Sequence, residues 1–268
     1  MFAQATTLCA TLLATSAIAG DAIKNPLIEG ETWEYLREDV VGDAALADGS
    51  ALFSVDAPYR AHDAATVPVI IRQLDESAQI SAATVVIDEN PAPVAAELTF
   101  SDAMAPLDFE LRVRVNQYSN VRVIAETPTG MHMAGRFVKA SGGCSAPASS
   151  DPDLALASMG KMKLRMFGEP ARISTPRREA QIMIRHPNYS GLQRDQISQL
   201  FIPAHFIDTL EVRQGDELLF TMTGGISISE NPVFRFTYQD NGSEALTVTA
   251  TDTDGNAFET ILPKYAES

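Results

Sequence analysis

The chain has 268 residues, 45% hydrophobic and 21% charged, so it can fill the core of one large domain or two ordinary ones and is not a disordered polypeptide. Its formal charge of −15 at pH 7 excludes nucleic acid as a partner, because phosphates need Lys and Arg to neutralise them, and disfavours an anionic membrane surface. A basic protein surface would instead be steered toward it.

Residues 1–19 carry no charged side chain and centre on Leu8, Leu12, Leu13 and Ile18, closing with Ala17-Ile18-Ala19 before Gly20-Asp21. This is the small-residue cleavage pattern of a secretory signal, although a Lys or Arg near Met1 is missing. A transmembrane anchor needs a run of about 20 apolar residues, and threonines and serines interrupt this one. Cleavage after Ala19 removes Cys9, leaves Cys144 as the lone cysteine of the mature chain, and leaves no membrane span.

Residues 25–41 place Trp33, Leu36 and Val40 on one face of a predicted amphipathic helix, and Trp33 is read as packing rather than function. From Thr66 the apolar period becomes two, in runs at 66–72, 80–88, 94–100, 109–115, 121–127 and 131–139, bounded by turn formers such as Asn90-Pro91 and Pro128-Thr129-Gly130. In one run Phe109, Leu111, Val113 and Val115 alternate with Glu110, Arg112 and Arg114, which gives an apolar face and a wet face. Many short strands at this spacing predict an antiparallel sandwich.

The last of these runs leads into Ser141-Gly142-Gly143-Cys144-Ser145-Ala146-Pro147. Gly142 and Gly143 lack a Cβ and free the backbone to turn or swing, and residues 146–152 have no period to pack, so Cys144 is expected to be exposed on a flexible strap. The alternatives for an odd cysteine in an oxidising compartment are an intermolecular disulfide or a buried thiol. No Lys, Arg or His lies within four residues of Cys144, so the sequence gives no reason for a depressed thiol pKa. Its usefulness would come from access.

Residues 152–176 mix Leu154, Leu156, Met159, Met162, Leu164, Met166 and Phe167 with Lys161, Lys163 and Arg165, and read as a docked linker without a clean strand or helix period. Lys161, Lys163, Arg165, Arg172, Arg177 and Arg178 make it the basic region of an acidic chain, either a solvated face or a site for anions or an acidic partner. A second strand-rich unit has runs at 181–185, 206–213, 217–223, 233–239, 245–252 and 257–262, with explicit turns at Asp240-Asn241-Gly242 and Asp254-Gly255. The expected fold class is all-β: two sandwich domains in tandem, with a short N-terminal helix and a flexible cysteine-bearing linker.

Other chemistries are weaker. His62, His132, His186 and His205 are scattered without metal-ligand spacing, so no metal is expected and His186 and His205 are read as structural. A hydrolytic triad of Cys144, His132 and an acid would sit on a strap that does not preorganise a nucleophile. A thiol-redox enzyme needs a resolving cysteine that the mature chain lacks. Thr223-Gly224-Gly225 reads as a turn between strands and not a phosphate loop, and no cofactor is expected.

Several blocks resemble the SoxYZ sulfur-carrier family. Ile87-Asp88-Glu89-Asn90-Pro91-Ala92-Pro93 and Val138-Lys139-Ala140-Ser141-Gly142-Gly143-Cys144 are similar to its SoxY subunit. Ile184-Arg185-His186-Pro187 with Ser190-Gly191-Leu192, then Ile202-Pro203-Ala204-His205-Phe206-Ile207, then Ile228-Ser229-Glu230-Asn231-Pro232 are similar to its SoxZ subunit, in the family's order. The whole looks most like the fused carriers found beside quinoprotein dehydrogenases. In the separate SoxY subunit the pattern is a C-terminal Gly-Gly-Cys-Gly-Gly. Here Ser145 and Ala146 follow the cysteine and the chain continues, which would hold the arm at both ends.

The resemblance implies immunoglobulin-like domains, a SoxY-like domain over 20–144, a linker over 145–178 and a SoxZ-like domain over 179–268. It implies a periplasmic carrier, not an enzyme, with Cys144 attaching sulfur intermediates and Gly142 and Gly143 giving the arm its flexibility. The implied partners are periplasmic sulfur-oxidation enzymes and c-type cytochromes. The alternative is an accessory protein for a quinoprotein dehydrogenase or its cytochrome, without sulfur cargo. A disulfide dimer through Cys144 is a further form left open. A Cys144 sulfur placed inside a hydrophobic interior, or a loop clamped with no route outward, would remove the transport role and leave a pair of fused binding domains.

Overall fold

The computed structural model describes residues 25–147, 152–168 and 177–265. The expected signal, residues 1–19, and Arg172 lie outside them. No helix among the described residues is long and apolar enough to cross a membrane.

The N-terminal helix α1 (Glu31–Val41) is shorter than the predicted 25–41. Residues 25–28 are held outside the helix by other partners: Asn25 Nδ2 donates to the carbonyls of Ala57 and Phe137, and Asn120 bonds both the N–H and the C=O of Ile28. Glu31 and Glu34 occupy the first turn, where the positive end of the helix dipole favours them. Trp33 and Val41 pack on Val86 and Ile124 of the sheet below, as the apolar spacing requires. The Arg122 guanidinium lies 4.4 Å from the Trp33 ring centre and is ion-paired at 2.8 Å with buried Asp88.

The first half holds β1 (Leu46–Asp48), β2 (Phe53–Asp56), β3 (Val67–Gln73), β4 (Ala82–Ile87), β5 (Val94–Phe100), β6 (Asp108–Val113), β7 (Ser119–Thr127) and β8 (Gly130–Val138). The alternation located β3 to β8 within a few residues, but β1 and β2 are too short to show a period. After α2 (Pro152–Ala157) come β9 (Met162–Phe167), β10 (Arg177–Ile184), β11 (Ile207–Gln214), β12 (Glu217–Gly224), β13 (Val233–Gln239), β14 (Ala245–Asp252) and β15 (Ala257–Pro263).

The linker therefore needs correction, since it contributes a strand. Met162, Leu164 and Met166 pack against the core while Lys163 and Arg165 face solvent, and β9 pairs antiparallel with β10. The basic region is partly tied down. Arg177 donates to the carbonyls of Ala105 and Pro106, and Arg178 pairs with Asp240 at 3.4 Å.

The two expected sandwiches are also more intimate than tandem domains on a linker. A nine-stranded sheet runs β1-β8-β7-β4-β5-β12-β11-β14-β15 and a six-stranded sheet runs β2-β3-β6-β13-β10-β9, so each sheet crosses from the first half to the second. The crossings are antiparallel, β5 against β12 (Phe100 opposite Phe220) and β6 against β13 (Phe109 opposite Phe236). Edge strands that would template aggregation are thereby paired internally. Between the sheets at this seam, Phe109 meets Phe220 edge-on with ring centres 5.0 Å apart, and Phe220 meets Phe236 at 5.0 Å. Such pairs contribute about 0.5–1.5 kcal/mol each beyond their area burial. Residues of both halves form one hydrophobic cluster.

Candidate functional site: the Cys144 loop

The loop after β8 is docked, which overturns the expected exposed and flexible strap. Cys144 is 0% exposed. The Gly142 and Gly143 N–H groups donate to the carbonyls of Asn116 and Val115 at 2.8 and 3.0 Å. From the second half, the Ser190 hydroxyl donates to the Cys144 carbonyl and Gln193 Nε2 donates to the Ala146 carbonyl at 2.8 Å. Both Ser190 and Gln193 are buried. The expectation failed because a run without a period can still dock when its backbone groups find partners elsewhere in the fold.

The two glycines serve this docking rather than free swinging. Gly142 takes φ +80°, a backbone conformation that a side chain would strain. A Cβ on Gly143 would fall 2.1 Å from the Ala64 carbonyl oxygen and 2.7 Å from the Val115 nitrogen, so only glycine lets the loop lie this close.

A buried cation, Arg114, bonds the loop. Arg114 was expected on a wet face, yet it is 1% exposed, because β6 ends at Val113 and the next residue turns inward, its N–H donating to the Ser227 carbonyl at 2.7 Å. Arg114 Nη1 donates to the Gly143 carbonyl at 3.1 Å and Nη2 to the Asn188 carbonyl at 3.2 Å. Asn90 supports this strand, with Nδ2 donating to the Arg114 carbonyl at 2.7 Å and to Ser227 Oγ at 2.9 Å. Burial pushes the Cys144 thiol up to about 11, and the Arg114 charge pulls it only part of the way back. In this conformation the sulfur is a protonated, enclosed thiol at neutral pH, and its nucleophilic form requires the loop to open.

Residues 37–144 match the model of the SoxY family, sulfur oxidation protein SoxY, with the match ending on Cys144, and residues 171–262 match that of sulphur oxidation protein SoxZ. The chain belongs to the fused SoxYZ carrier family. Among solved structures, the sulfur carrier protein SoxY from Chlorobium limicola f thiosulfatophilum is similar at 22% identity and a TM-score of 0.34, over 41% of this chain and 96% of that one. No curated protein sequence matches.

Within this SoxYZ chain, the SoxZ half supplies the groups that clamp the SoxY cysteine. The segment His186 to Gln193 is anchored by a cluster that sequence spacing concealed, since His186 and His205 meet on Asp252. His205 Nε2 lies 2.8 Å and His186 Nε2 3.3 Å from the same Asp252 oxygen. The other Asp252 oxygen accepts the N–H groups of Asp254 and Asn256. Burial alone would raise the Asp252 carboxyl, but donors from Asn256, His205 and His186 together hold it far below the usual carboxylate range. Burial, with the neighbouring His205, lowers the His186 pKa against the opposing pull of Asp252.

The donor atoms of these three residues lie within 4.8 Å of one another, close enough to suggest metal ligands. Hydrogen bonding argues otherwise. The Asn188 N–H donates to His186 Nδ1 at 3.0 Å, which assigns the proton of the neutral ring to Nε2, facing Asp252. A metal on Nε2 would put a proton on Nδ1, opposite the Asn188 N–H. The cluster is a hydrogen-bonded clamp, and it passes directly to the thiol site, because the Asn188 carbonyl accepts from Arg114.

His132 stands apart, bonded to Thr129 at 3.0 Å on the β7–β8 hairpin, and His62 is exposed. The sequence reading missed Arg114, Gln193, Asn188 and Asp252 as parts of the site. The available signal for Asn188 and Gln193 was their position inside or beside the family block at 184–192; Arg114 and Asp252 carried none, since alternation assigned the one to solvent and left the other at a strand end.

Proposed function

We propose that this SoxYZ protein is a non-enzymatic periplasmic carrier that holds sulfur intermediates covalently on Cys144, within a SoxY-like domain over 20–144 and beside a SoxZ-like domain over 179–268. The observation that carries this reading is the SoxY family match ending on the cysteine, followed in the same chain by a SoxZ match. Cys144 loses its proton, its sulfur attacks a sulfane sulfur of an activated donor, a new S–S bond forms, and the donor's outer group leaves with the electron pair of the broken bond. A second enzyme then takes the cargo. The partners are sulfur-oxidation enzymes and c-type cytochromes of the same compartment.

The enclosed thiol is the outcome set above against transport, so the carrier reading rests on the family matches and requires that the loop open. The docked loop is a closed state that shields the sulfur between encounters, and loading requires the contacts from Arg114, Ser190 and Gln193 to break. The fused SoxZ half supplies Ser190, Gln193 and Asn188 at a high effective concentration, because no second chain has to be found.

Two measurements test the carrier. Intact-mass analysis of protein from its native periplasm should find a reducible sulfur adduct on Cys144, and a thiol that stays bare while cells oxidise reduced sulfur would overturn the reading. Cys144→Ser should abolish growth on reduced sulfur and leave growth on alcohols intact. Unchanged growth on both would leave an accessory protein with an incidental thiol.

A further inference from the structure

Arg114 is the unexplained group at the thiol site. Its side chain is among the largest fully buried ones, and its Nε has no hydrogen-bond partner among the described residues. Among the described residues, Nη1 and Nη2 donate only to main-chain oxygens, those of Gly143 and Asn188. Carbonyl oxygens satisfy donors but do not neutralise a charge, and a buried cation without a counter-ion is strongly unfavourable. Burial is the main effect lowering the Arg114 pKa. Among the groups whose charge opposes that, a Cys144 thiolate acts more strongly than Glu230 or Asp63. An arginine held in this way is poised for an anion that arrives on the neighbouring sulfur.

We infer that Arg114 is the counter-cation of a negatively charged sulfur group on Cys144, so that the docked loop accepts an anionic cargo in preference to a neutral one of similar size. The pairing of Arg114 with a thiolate rests on its burial and on its bond to the Gly143 carbonyl, next to the cysteine; the extension to cargo rests on the carrier reading. Arg114 is thus a positioning residue for the carried group. The planar guanidinium, whose Nε–H has no partner among the described residues, suits a terminal persulfide anion or the oxygens of a terminal sulfonate.

Two reagents give matched adducts, introduced in mild denaturant and followed by refolding of the full mature chain. The Cys144 thiolate attacks a divalent sulfur of tetrathionate, the central S–S bond breaks, thiosulfate leaves with the electron pair, and an S–SO3⁻ group remains on the cysteine. The same attack on tert-butyl methanethiosulfonate releases methanesulfinate and leaves a neutral S–C(CH3)3 group of similar size. The anionic adduct should melt about 3 °C or more above the neutral one. The difference should vanish or reverse in Arg114→Gln and persist in Arg114→Lys. A wild-type protein whose neutral adduct melts at or above the anionic one overturns the inference, and this comparison decides alone if Arg114→Gln does not fold.

Thiolate absorbance, with Cys144→Ala as baseline, gives a second readout that involves no cargo. At pH 10 the thiolate fraction should fall about fivefold or more in Arg114→Gln, within the range over which neighbouring charges shift a pKa. An unchanged titration overturns the pairing. Neither readout depends on sulfur metabolism. A protein that fails the native-adduct and growth tests yet keeps this melting order loses the carrier role and retains the Arg114 pairing; the reverse pattern loses only the pairing.

Discussion

At the scale of the residue, Cys144 and its two glycines carry the molecule's chemistry in a form opposite to that suggested by their composition. A Gly-Gly-Cys run reads as freedom, yet Gly143 is present because the loop lies against the Ala64 carbonyl with no room for a Cβ. Gly143→Ala should therefore lower the melting temperature and speed labelling of Cys144 by a disulfide reagent, whereas a glycine kept only for flexibility would leave both unchanged. The buried thiol also sets a pH dependence. Its folded pKa of about 11 lies above the ordinary value of 9.0, so its contribution to stability is complete below pH 9 and is lost as pH rises through 11. The stability difference between wild type and Cys144→Ala should shrink over that window by on the order of 2 kcal/mol, measured by urea unfolding. A difference independent of pH would mean that the thiol is not enclosed in solution.

At the scale of the element, the segment from His186 to Gln193 links the clamp to the cysteine loop, and its two ends allow separate tests. Ser190→Ala with Gln193→Ala removes two hydrogen bonds to the loop. At about 1 kcal/mol each, their loss should raise the opening equilibrium, and hence the labelling rate of Cys144, roughly tenfold or more without unfolding the protein. Asp252→Asn leaves His186 and His205 without their shared carboxylate, and should cost about 3 kcal/mol at pH 7. Because the Asp252 pKa is depressed in the fold, that stabilisation is present above the unfolded carboxylate pKa and fades as pH falls below about 4, so the two proteins should converge in acid. The elements themselves were legible to different degrees. Met162, Leu164 and Met166 alternating with Lys163 and Arg165 was a strand signal masked by the neighbouring glycines, while residues 25–28 belonged to a helical pattern that Asn25 and Asn120 override by bonding the backbone.

At the scale of the whole molecule, the halves share both sheets and one core, so they should unfold together. A single urea transition, coincident by fluorescence and circular dichroism, is expected, and two separated transitions would mean that the seam is weaker than its aromatic packing implies. The sequence by itself determined that the protein is all-β, that its halves resemble SoxY and SoxZ, and that one cysteine stands at their junction, because alternation and short motifs are properties of neighbouring residues. It could not determine that β5 pairs with β12 and β6 with β13, since strand edges carry no address in a single chain. Nor could it place Arg114, Asn188, Ser190 and Gln193 around Cys144, for these lie 30 to 49 positions from it along the chain. Tertiary structure decided that the thiol is enclosed, because desolvation and backbone hydrogen bonding depend on what the fold brings alongside, and not on which residues come next.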